Sequence, residues 1–200
     1  MLVAAKAAPA PETTAPGAAA FELEPTGSSL TFTAVQQAAK FESRFGRFTA
    51  LVRFDPAQPE TGSITARIDL GSVDTGNPER DEVLKGADWF NLSQWPEAVF
   101  TAVRIVRAGD GYAASGALAL RDVTRPVTLQ FRWTSGAAGQ PARLVGSAAL
   151  ERLAFGVGQG DWRDTTYVGN SVDVRVDIRL RPVHVTVKSV AITTGAPNAQ

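Results

Sequence analysis

Period-two alternation of apolar and polar residues dominates this chain. Phe48, Ala50, Val52 and Phe54 share one face of a stretch whose other face carries Arg47, Thr49, Leu51 and Arg53. Ile64, Ala66, Ile68 and Leu70 alternate in the same way with Thr65, Arg67 and Asp69. Such alternation marks a half-buried strand. With Asp55-Pro56 and Pro59-Glu60-Thr61-Gly62 between them as turn signals, the pair reads as a hairpin. Further strands are predicted at 30–34, 99–107, 112–120, 127–133, 144–150 and 172–180. The inner face of 99–107 does not resolve from the pattern. Leu153 and Phe155 fall on the opposite parity from Leu144, Gly146, Ala148 and Leu150, which a bulge near Glu151-Arg152 would reconcile. Val183, Val185 and Val187 can continue the last strand beyond Pro182.

One stretch breaks the alternation. Between Ser72 and Phe100, Asn77 offers an N-cap and Pro78 fits the first helical position. Glu79, Asp81 and Glu82 put negative charge at the positive end of the helix dipole, and Gly86 offers a stop. Trp89, Phe90 and Trp95 follow at once. A short helix and an aromatic knot inserted among strands suggest a lid over an apolar cavity.

Eight to ten strands joined mostly by short turns either close into a barrel or pack as a sandwich. Small residues on the apparent inward faces (Ala34, Ala50, Ala66, Ala114, Gly116, Gly146, Ala148) leave room inside, and a barrel of about eight strands can hold one small ligand. The domain is expected over residues 21–192. Residues 1–20, rich in Ala and Pro, read as a flexible linker or the remnant of an export signal, and 193–200 as a polar tail.

Composition adds exclusions. Two hundred residues with 44% hydrophobic and 20% charged content suit one globular domain. A formal net charge of zero argues against general nucleic-acid binding, which needs a basic surface. Without cysteine, disulfides, thiolate chemistry and cysteine-ligated zinc are excluded. His184, the one histidine, is placed on an outer face by its flanking valines, and no metal site is expected. Gly156-x-Gly158-x-Gly160 does not lead from a strand into a helix as a phosphate loop would, so barrel bending or a bulge beside Trp162 is the reading preferred. No G-x-S-x-G elbow is present.

Four segments, FTAVQQAAKFESRFGRF, IDLGSVDTGNPERDEVLKGADWFNLSQWPEAVF, GALALRDVTRPVTLQFRW and ERLAFGVGQGDW, resemble the YceI-like family in that order, over roughly residues 21–180. SVDTGNPERDEVL followed by DWF and WP-x-x-x-F is the most specific part. Ser43 and Asp122 stand where glycine is common in that family. The resemblance implies an all-β fold: an extended antiparallel, lipocalin-like barrel with a short helical insert. It implies non-enzymatic binding, transport or storage of a polyisoprenoid or similar long-chain amphiphile, a quinone among the options, in a periplasmic or secreted protein. No covalent cofactor is implied; the bound lipid or quinone takes that place. Some relatives follow a membrane b-type cytochrome in one polypeptide, so an accessory domain presenting a quinone to such a partner is the alternative, and a hydrolase of amphiphiles a third.

A prenyl or acyl tail offers chiefly apolar area, worth about 0.8 kcal/mol per buried methylene. Candidate contacts are therefore Phe32, Phe45, Phe48, Phe54, Trp89, Phe90, Trp95, Phe100, Phe131, Trp133 and Phe155, each of which could equally fill a packed core. Arg80 and Asp81 either meet a ligand head group at the barrel mouth or tie the insert to neighbouring backbone.

Overall fold

A computed structural model describes residues 18–137 and 140–183. Ten strands form one sheet: β1 (Ala20–Gln36), β2 (Ala39–Phe45), β3 (Phe48–Arg53), β4 (Ser63–Asp69), β5 (Val73–Asp74), β6 (Glu97–Ala108), β7 (Gly111–Leu120), β8 (Val123–Thr134), β9 (Ala142–Glu151) and β10 (Ser171–Pro182). Every pairing is antiparallel, and β10 pairs back onto β1. Eight strands therefore close a barrel, in the order β1-β3-β4-β6-β7-β8-β9-β10. β2 and β5 are extra: β2 is hydrogen-bonded to the second half of β1 and β5 to β2, and together they raise one wall. Closure leaves the long central strands without free edges.

The alternating segments became these strands because their apolar residues share a face. Where the pattern was ambiguous, a physical reason exists. In β6 the register against β7 shifts between Ala102 and Arg104. Val103 is extruded and 75% exposed, so the inward set changes from Ala98, Phe100 and Ala102 to Ile105. At Glu151-Arg152 there is no bulge; β9 ends and the chain turns into a 3-10 helix, Arg152–Phe155, which accounts for the changed parity of Leu153 and Phe155. Val183 bonds its N–H to the Ala20 carbonyl at 2.8 Å, whereas His184, Val185, Val187 and the tail at 193–200 lie outside the described residues. The linker reading of 1–20 falls outside them too, apart from 18–20; β1 begins at Ala20.

The inserted helix α1 (Pro78–Lys85) is the single α-helix among the described residues. Asn77 caps it, its side-chain oxygen accepting from the Arg80 N–H at 3.1 Å. Gly86 follows the helix in extended conformation (φ −67°) rather than left-handed, and its N–H bonds the Val83 carbonyl at 3.0 Å. The β1–β2 turn uses two left-handed residues, Gln37 (φ 50°) and Ala38 (φ 63°). In the β7–β8 turn Arg121, not Asp122, takes the positive φ (57°). Ser43 sits inside β2 as ordinary strand.

Antiparallel order puts the β1–β2 turn, the β7–β8 turn, the insert and the β9–β10 connection at one end, here called upper. The tight core is at the other end. Val52, Phe54, Ala102, Ile105, Ala114, Leu144 and Leu180 are at most 1% exposed there. Phe54 sits among Tyr112, Phe131 and Trp133 with ring centroids 4.8, 5.5 and 5.0 Å away, and Phe21 closes on Trp133 at 5.1 Å. These rings form a floor across the barrel.

Gly116 lies opposite the β6 bulge, where an added Cβ would meet the Thr101 carbonyl and Ala102. Gly116→Val is expected to destabilise the fold by about 2 kcal/mol or more, read as a lower urea midpoint at unchanged m-value.

Candidate functional site

Above the floor the barrel is hollow. On β10, outward Asp173 and Arg175 are exposed, yet inward Val172, Val174 and Val176 are only half-buried; full burial begins at Ile178 and Leu180. On β9 the inward Leu150, Ala148 and Gly146 are half-buried and Leu144 and Ala142 fully buried. On β8, Val127 and Leu129 are half-buried and Phe131 buried. Inward residues that keep accessible surface inside a closed barrel must face empty space. That space is a cavity of about 460 Å³.

Its walls are apolar: Phe32, Phe45, Phe48, Ala50, Ala66, Ile68, Phe100 and Val174 are representative. Phe32 and Phe45 meet at 5.4 Å, and Phe45 reaches Phe90 at 6.2 Å. Leu84, Trp89, Phe90, Phe155, Val157, Trp162 and Val168 cover the top. The polar lining residues are Gln36, Asn77, Glu79, Arg80 and Arg152. Asn77, Glu79 and Val83 are exposed as well as lining, which locates the mouth beside α1.

Of the thirteen candidate contacts, Phe32, Phe45, Phe48, Arg80, Trp89, Phe90, Phe100 and Phe155 line the cavity. Five do not. Phe54, one residue past β3, and Phe131 and Trp133 on β8 belong to the floor, below the hollow level. Trp95 instead lies 5.4 Å from the Arg121 guanidinium. Asp81 turns to the backbone, its Oδ1 accepting from the Thr75 N–H at 2.9 Å and the Thr75 hydroxyl at 2.7 Å. Among the small inward residues, Ala34, Ala50, Ala66 and Ala148 line the cavity. Ala114, Gly116 and Gly146 do not; Gly146 instead admits Phe131, whose Cβ would stand 2.9 Å from a Cβ added there.

The cap depends on a residue that sequence reasoning missed. Arg152 is 5% exposed and donates from all three guanidinium nitrogens to main-chain carbonyls: Gly169 (2.9 Å), Val157 (3.0 Å), Gly158 (3.3 Å), Trp162 (2.6 Å) and Val168 (2.7 Å). Its guanidinium also lies 5.4 Å from the Trp89 ring. Burial pulls its pKa below the ordinary arginine range, but arginine stays protonated in proteins, so the carbonyl dipoles must solvate the charge. The Gly156-Gly158-Gly160 motif explains how they converge. All three glycines have positive φ (69°, 81° and 60°), and a Cβ on Gly158 would collide with Arg152 Nη1. The motif shapes a carbonyl cup between 3-10 turns rather than a strand bulge. An arginine at a parity break followed by G-x-G-x-G was the available signal.

Arg121 is a second staple. From its left-handed turn position it donates to the Trp89 carbonyl at 2.7 Å and to the Gly156 carbonyl. The Asp88 carbonyl accepts from the N–H groups of Gly158 (2.7 Å) and Gln159 (2.8 Å). Insert residues 88–89 and the 152–169 connection are thereby joined into one cover.

A family model described as the YceI-like domain matches residues 21–180. A UPF0312 protein of Yersinia pestis (strain Pestoides F) is 37% identical over 90 residues, 45% of this chain and 47% of that protein. The chain spans about half the length of the curated relatives it matches. Burkholderia cenocepacia BcnA superposes with TM-score 0.75 at 29% identity, over 78% of this chain and 98% of that one. A polyisoprenoid binding domain from Saccharophagus degradans shares the fold, with TM-score 0.65 at 17% identity over 83% of this chain and 99% of that one.

Arg152→Met leaves several buried carbonyls unpaired and should cost about 3–5 kcal/mol in urea unfolding. Gly158→Ala acts on the same cup. The double variant should therefore lose clearly less than the sum of the two single losses.

Proposed function

The chain belongs to the YceI-like family, and on that footing we propose that it binds a polyisoprenoid, or a similar long-chain amphiphile, in the hollow upper half of its barrel. The observation that carries this reading is the half-buried state of inward Val172, Val174, Val176, Ala148 and Leu150. A protein that needed only stability would fill this volume, since apolar voids forfeit dispersion contacts. Ten buried methylenes would contribute about 8 kcal/mol before the costs of association, so a tail can bind well with few polar contacts. The polyisoprenoid binding of the Saccharophagus degradans domain, whose fold this chain shares, supports the same class of ligand.

Binding and release, rather than turnover, is the proposed activity. Quinones with prenyl tails fall within the class, and presenting one to a membrane b-type cytochrome would be a use of the same cavity. A periplasmic or secreted setting belongs to the proposal and rests on the family resemblance.

Native mass spectrometry of the purified protein, followed by solvent extraction, is expected to show one long-chain amphiphile per chain. Absence of any adduct, together with no uptake of a prenol by the stripped protein, would contradict the reading. Ala148 lines the cavity, and Ala148→Phe places a ring in it. That variant is expected to fold, to be no less stable than the parent, and to lose the adduct.

A further inference from the structure

The mouth differs in chemistry from the cavity below it. Beneath the mouth, the one charged lining residue is Arg152, whose guanidinium is already satisfied by carbonyls. At the mouth stands Arg80, half-buried and lining the cavity. Its guanidinium lies 4.2 Å from the centroid of the Phe41 ring. Among the described residues no carboxylate pairs with it and no side-chain hydrogen bond engages it.

The neighbouring acids leave it free. Asp81 Oδ1 is engaged by Thr75, and Glu82 pairs with Lys85 at 2.6 Å. Glu79 also lines the mouth, but it is exposed and makes no ion pair among the described residues. Arg80 occupies the first turn of α1, where a cation opposes the helix dipole, so helix stability does not account for it. Stacking on Phe41 occupies the guanidinium face and leaves the N–H edge for an acceptor. Gln36 and Asn77 add polar atoms to the same opening.

We propose that Arg80 anchors an anionic oxygen head, phosphate or carboxylate, on the amphiphile whose tail fills the cavity. This rests on the lipid-binding reading above and adds selectivity to it: Phe41 and Arg80 form a head-group site that distinguishes an acidic lipid from a neutral one of equal tail. Bidentate pairing of guanidinium with phosphate or carboxylate supplies the discrimination. The apolar cavity requires a tail, so free phosphate does not bind.

Trp89 and Trp162 line the cavity, so tryptophan fluorescence of the stripped protein reads occupancy. The titrants are farnesyl phosphate, farnesol, a benzoquinone with a farnesyl tail, and inorganic phosphate. Farnesyl phosphate is expected to bind about tenfold tighter than farnesol at low salt. That ratio should shrink as salt is added. Arg80→Gln should weaken farnesyl phosphate far more than farnesol and so remove the preference, Arg80→Lys should keep part of it, and Glu79→Gln should enlarge it. Equal affinity for phosphate and alcohol, a quinone binding as well as the phosphate, a salt-independent ratio, or an equal loss for both ligands in Arg80→Gln would each overturn the head-group assignment. Displacement of farnesyl phosphate by millimolar inorganic phosphate would point instead to a free-anion site and overturn it too. If farnesol binds without any preference, the lipid reading stands and this inference falls; if neither prenyl ligand binds, both fall.

Discussion

The structure turns on how many large side chains reach the axis at each level of an eight-strand circumference. Eight strands leave an interior that side chains can just fill, or that can be left open for one small ligand. In this barrel both outcomes occur, one above the other. Phe54, Phe131, Trp133 and Tyr112 cross the lower half and meet at van der Waals distance. In the upper half Ala34, Ala50, Ala66, Ala148, Val172 and Val174 stop short of one another. The same closed hydrogen-bonded wall thus encloses a solid floor and a hollow chamber. The extra strands β2 and β5 deepen the chamber on one side.

A chamber open at one end needs a cover, and a cover made of irregular chain brings main-chain polar groups into an apolar place. The protein resolves this with two arginines. Arg152 gathers carbonyls from the connection between β9 and β10, and Arg121 joins that connection to the insert. The geometry requires left-handed residues, which explains three closely spaced glycines and the positive φ of Arg121 itself. Helix α1 is tied differently. Leu84 is its buried residue, Asp81 holds it to Thr75, and Arg80 stacks on Phe41. Chemistry divides the chamber from its opening: greasy inside, charged at the rim.

Much of this was legible in the residue pattern, because strand faces and helix caps are local properties. The hairpin of β3 and β4, the return strands β7 to β10 and the capped helix all follow from alternation and from Asn77-Pro78. What failed was non-local. Alternation says which face of a strand is inward but not at what height a residue meets its partners. Phe54 and Phe48 therefore looked alike, although one seals the floor and the other lines the chamber. The bulge at Val103 erased the period in β6, and a turn into 3-10 helix imitated a bulge at Arg152. Arg152 was missed because its two local signals, the parity break and the G-x-G-x-G run after it, point to a carbonyl cup only once the chain from 157 to 169 is seen to fold back over the guanidinium.

The central claim is that the upper chamber is held open for a guest by residues too small to fill it. The most direct measurement is the electron density of a crystal grown from protein purified without stripping. The account expects elongated, chain-like density between the level of Phe131, Leu144 and Ile178 and the rim at Arg80, with the inward valines and alanines in place around it. A lumen closed by its own side chains, with Phe45, Phe48 and Phe100 collapsed onto Val174 and no room for a hydrocarbon, would contradict it.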